Sequence, residues 1–64
     1  MISDDSAELA SMATAVGELS ARIEAVAERY VDTPREDVAN RLFDVERALR
    51  QAERVLEHLL RDGS

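Results

Sequence analysis

Cysteine, tryptophan and lysine are absent from this 64-residue chain, and histidine, proline, tyrosine and phenylalanine occur once each. Without cysteine there is no disulfide staple, no thiolate nucleophile and no thiolate-bound metal. A lone His58 leaves the serines and threonines without the base that nucleophilic catalysis needs, and Val55 stands where a di-iron Glu-x-x-His motif would place its glutamate. The two glycines, Gly17 and Gly63, are too far apart to form a phosphate-cradling loop. The chain is therefore expected to be non-enzymatic, with no cofactor and no metal.

Positive charge is also scarce. The net charge is −6 and the pI about 4.6, which disfavours nucleic acid and anionic membrane surfaces as partners. The opening residues Met1-Ile2-Ser3-Asp4-Asp5 are acidic where a signal peptide needs cations, and no apolar run approaches the length of a membrane span. A cytoplasmic location is the expectation that follows.

What the chain does have is helical periodicity on either side of one break. Thr33 suits an N-cap, Pro34 the first helical position and Glu36 the third position of a capping box. Pro34 also keeps Thr33 out of the α region, so a preceding helix must stop before it. The spacing predicts a single all-α domain over residues 1–64. Its first helix spans about 5–31, its turn 32–34 and its second helix about 34–61, with Gly63 as a left-handed cap.

Large apolar residues of the first helix fall at Leu9, Met12, Val16, Leu19, Ile23, Val26 and Tyr30, alternately three and four apart. After the turn, Val38, Leu42, Val45, Leu49, Ala52, Leu56 and Leu59 take up the complementary spacing. Folded back at Thr33-Pro34, the stripes match layer by layer, from Tyr30 with Val38 and Val26 with Leu42 out to Leu9 with Leu59. This is the pattern of an antiparallel two-helix hairpin with a coiled-coil seam.

A hairpin this small has little to hold it together. A single core below about 70 residues supplies only about 3–5 kcal/mol without staples, which makes oligomerisation the expected support. Apolar residues beyond the seam agree with that expectation. Ala15, Ala48 and Val55 widen one flank, while Ala13, Ala27, Ala39, Phe43 and Leu60 lie on the other, with Gly17 adjoining. Bundle helices carry such widened faces, whereas a two-stranded seam does not. The sequence thus predicts a homodimer forming a four-helix bundle, with Ala13, Ala15, Gly17, Phe43, Ala48, Val55 and Leu60 as dimer or partner interface.

Charge on the widened flank does not close the hairpin, since it sets Arg29 near Arg41 and Glu8 near Asp62. The arginines on the outer face of the second helix are offset by acids three or four residues away, as in Glu46 to Arg50 and Asp44 to Arg47. Together these features predict a small acidic module that self-associates and binds or scaffolds another protein. The alternative is a regulatory inhibitor of the antitoxin or anti-sigma kind, whose acidic residues Glu18, Glu24, Glu28 and Asp32 enter a basic groove on a partner protein.

Overall fold

In a computed structural model the chain forms two helices, α1 (Ile2–Glu28) and α2 (Glu36–Gly63), folded back against each other as a hairpin. The structure describes the backbone of residues 2–63 and the side chains of residues 5–62. The hairpin measures 49 × 14 × 11 Å, with a radius of gyration of 14.8 Å. A compact domain of this length would have a radius near 11 Å. The molecule is one layer of two helices, without the second layer against which folds ordinarily bury an apolar face.

The helices begin and end at places that differ from the sequence expectation, for reasons local to the turn. α1 starts at Ile2, ahead of the caps between Asp4 and Ala7, and stops at Glu28 rather than Val31. Its final turn tightens, with the Arg29 N–H donating to the Val26 carbonyl at 3.1 Å and the Tyr30 N–H to the Ala27 carbonyl at 3.0 Å. Asp32 then takes the left-handed conformation at φ 62°. At the other end α2 continues through Gly63, where no positive φ is found, so the expected glycine cap is not made.

Thr33 holds the break together. Its hydroxyl donates to the Tyr30 carbonyl at 2.5 Å and accepts from the Arg35 N–H at 3.2 Å, the second of which is the N-cap bond expected of it. The other arm of the capping box is not formed. The Thr33 N–H bonds to the Tyr30 carbonyl at 3.3 Å instead of to the Glu36 carboxylate. In place of that arm, Arg35 grips Asp37 with two bonds of 3.0 and 3.1 Å, and the hydrogen bond from Arg35 holds the Asp37 carboxyl below its ordinary range.

The strain in this turn is confined to Asp32. An L-residue in the left-handed region costs about 1 kcal/mol, less for Asp than for most, and glycine avoids it. Asp32→Gly is therefore expected to stabilise the hairpin slightly, by up to about 1 kcal/mol or about 4–8 °C in Tm, and Asp32→Val to destabilise it. Thermal unfolding followed by circular dichroism checks both.

The seam is shifted from the expected stripe toward a row of small residues. Three heptad rows run side by side on α1: Ala13, Ser20 and Ala27 are buried, Leu9, Val16 and Ile23 are half-buried, and Met12 and Leu19 of the third row are exposed. On α2, Ala39 is buried, Leu42, Leu49 and Leu56 are half-buried, and Val45, Ala52 and Leu59 are exposed. Relative to the expected stripe both helices are turned by about 50°, half of the 100° step between residues. The rotation brings small side chains into the seam, and Ala27 and Ala39 lose all solvent contact next to the turn.

Candidate interaction face

Turning both helices the same way gives the hairpin two unlike sides. On the first, the flanks of the seam are polar. Arg50 reaches across from α2 to Glu24 of α1 at 3.6 Å and also pairs with Glu46 on its own helix, which, as the larger influence, raises its already high pKa. Farther along, the Glu53 carboxylate lies against Gly17, where an added Cβ would meet Glu53 Oε2 at 2.7 Å. Ser20 is buried between these groups, and its Oγ has no hydrogen-bond partner among the described residues.

Gly17 therefore makes room for the end of a flexible side chain and not for a backbone. Glu53 can swing outward to water, so Gly17→Ala should gain the helix propensity of alanine, about 0.8–1 kcal/mol, at little steric cost. A rise of several degrees in Tm is the expected result. A fall would show that the Glu53 carboxylate is held at Gly17 by more than proximity.

The second side is apolar. Met12 and Leu19 are each 43% exposed, Val45 46% and Leu59 39%, and Val55 is more exposed still. Antiparallel helices place equivalent flanks of their heptads on a common side, so the rows of Leu19 and Val45 form one surface. The expected pair Val26 and Leu42 is found within it. Together with Leu19, Arg22 and Ile23 they line a groove of about 180 Å³ toward the turn. Asp5, Glu8, Leu9 and Met12 line a second groove of about 300 Å³ at the open end.

Of the residues expected at an interface, Ala15, Ala48 and Val55 are exposed and lie on the rim of this apolar side. Ala13 is instead buried in the hairpin's own seam, while Gly17, Phe43 and Leu60 are half-buried beside it. Small side chains on the seam let the backbones come close, and that takes these positions into the chain's own packing. Met12, Leu19, Val45 and Leu59, expected inside the seam, are left facing solvent, as are Ala52 and Tyr30, the latter 36% exposed and not enclosed against Val38 as expected.

A further depression, about 410 Å³, is lined by Gln51, Arg54, Val55 and His58 on the outside of α2. His58 Nδ1 lies 3.2 Å from the Arg61 guanidinium, and both side chains are exposed. Among the described residues no group of three His, Cys, Asp or Glu side chains is placed to hold a metal ion, and no helix is long and apolar enough to cross a membrane. The chain matches no protein-family model, no curated protein and no solved structure.

Proposed function

We propose that this chain is a non-enzymatic protein-protein interaction module, which closes its open apolar side with a second copy to form a four-helix bundle and offers its charged outer sides to another protein. The observation that carries this reading is the row of Met12, Leu19, Val45 and Leu59, large apolar residues on one side of a hairpin one layer thick. Surface area supports it. The chain exposes 4804 Å², against about 4,100 Å² for a compact protein of its mass. The excess of about 700 Å² is close to the roughly 800 Å² per partner of a standard interface.

The inhibitor reading draws on an acidic outer surface of the first helix. Glu24 is turned toward Arg50 of α2, which leaves Glu18, Glu28 and Asp32 for that role. The geometry therefore favours the self-associating module. If folding and association are coupled, Tm must rise with protein concentration. Thermal unfolding by circular dichroism across a wide dilution series is the test, and a Tm independent of concentration in a fully helical sample would count against the proposal.

A further inference from the structure

Building on that self-association, we infer that the two copies pack end over end, the turn of one against the open end of the other, with α1 crossing α1 at Ala15 and α2 crossing α2 at Val55. On the heptad row that flanks the apolar side, Glu8 and Asp62 stand toward the open end and Arg22, Arg29 and Arg41 toward the turn, with Asp5 beside Glu8 in one groove and Arg22 in the other. None of these six makes an ion pair with a described residue. The hairpin itself sets like beside like at both ends, and satisfies neither.

Two face-to-face arrangements have two-fold symmetry. With both turns at the same end, α1 lies over α2 of the second copy, so Arg22 and Arg29 approach its Arg41 while Glu8 approaches its Asp62. That arrangement repeats the repulsion. With the turns at opposite ends, each helix lies over its own counterpart, and the groove holding Arg22 is set over the groove holding Asp5 and Glu8. Like charges in apposition cost affinity, whereas complementary patches fix register.

The crossing point follows from the heptads. Glu8, Ala15 and Arg22 share one heptad position, so an antiparallel crossing of α1 centred on Ala15 brings Glu8 of each copy to Arg22 of the other. Ala48, Val55 and Asp62 share the equivalent position on α2, and a crossing centred on Val55 brings Asp62 of each copy over Ala48 of the other, away from other acids. Ala15 and Val55 stand at nearly the same height, about 30 Å from the turn at 1.5 Å per residue. Both are exposed, and Ala15 is small, as close approach of two helices at a symmetry axis requires.

The absence of native cysteine makes cross-linking decisive. In the end-over-end dimer Ala15 opposes itself, so the full chain carrying Ala15→Cys should oxidise to a disulfide-linked dimer, as should the chain carrying Val55→Cys. With turns at the same end, neither variant alone would cross-link and a mixture of the two would. That result, or no cross-link in a sample whose mass is that of a dimer, overturns the arrangement and leaves self-association standing. A monomeric mass overturns both.

Charge exchange provides a second readout. Arg22→Glu and Glu8→Arg should each weaken the dimer roughly tenfold, since each variant loses two symmetric pairs and gains repulsion. The chain carrying both substitutions should return to near the original affinity. Additive weakening in the double variant would overturn the pairing.

Discussion

Leu19→Asp is expected to turn the dimer into a monomer and to lower helicity at concentrations where the unsubstituted chain is fully helical. In the isolated hairpin Leu19 is 43% exposed, so a carboxylate there could remain hydrated and the hairpin itself would lose only part of one apolar contact. Leu19 lines the groove formed with Ile23, Val26 and Leu42, and in the proposed bundle that groove would be covered by a second layer. A charge buried there without a partner costs about 3 kcal/mol or more, a loss of affinity of more than a hundredfold. Ala21→Asp, on the exposed back of α1, should leave the mass unchanged. Sedimentation of the two variants side by side checks the effect, and a Leu19→Asp variant that keeps the dimer mass would place the interface elsewhere.

Ala27→Leu should unfold much of the protein for the opposite reason. Ala27 and Ala39 are both fully buried beside the turn, where the helices come together through alanine side chains. Three extra heavy atoms at Ala27 have no cavity to enter and must part the helices, and overpacking of this kind costs about 1–3 kcal/mol. Set against the roughly 3–5 kcal/mol available to so small a core, that is a large share of the stability. The expected fall in Tm is about 5–20 °C. Ala25→Leu, two residues away at an exposed position outside the seam, should shift Tm by no more than a few degrees. Equal effects at the two positions would contradict the placement of the seam on the alanine row.

The difference between these two residues also shows what the sequence conveyed and what it could not. Thr33-Pro34 announced the break and the antiparallel return, because capping chemistry and the fixed φ of proline act locally. The position of the seam is not a local property. Ala13, Ser20 and Ala27 repeat every seven residues as faithfully as Met12, Leu19 and Val26 do, and the two rows compete for the same partner helix. Large residues make the better seam for a hairpin that stands alone. Small residues let the backbones approach, leaving the large ones to a second layer, and the heptad spacing is the same in either case.

Individual residues followed the same division. The pairs on α2 between Asp44 and Arg47 and between Glu46 and Arg50 were legible from spacing alone and are present. Glu24 was not legible as a partner of Arg50, since on its own helix it reads as one more solvated acid until the rotation carries it to the edge of the seam. Ala15, Ala48 and Val55 stood out as apolar residues beyond the expected stripe and do lie exposed. Ala13 stood out for the same reason and is enclosed, because the rotation moved one flank inward as it moved the other out.

Whether two copies share the apolar side is decided by native mass in solution, measured by light scattering or sedimentation equilibrium from the micromolar to the millimolar range. Twice the 7.1 kDa of a single chain is expected, persisting on dilution and giving way to monomer only as helicity is lost. A fully helical species of 7.1 kDa at the highest concentration would contradict that expectation. The row from Met12 to Leu59 would then be no surface for a second copy of this chain.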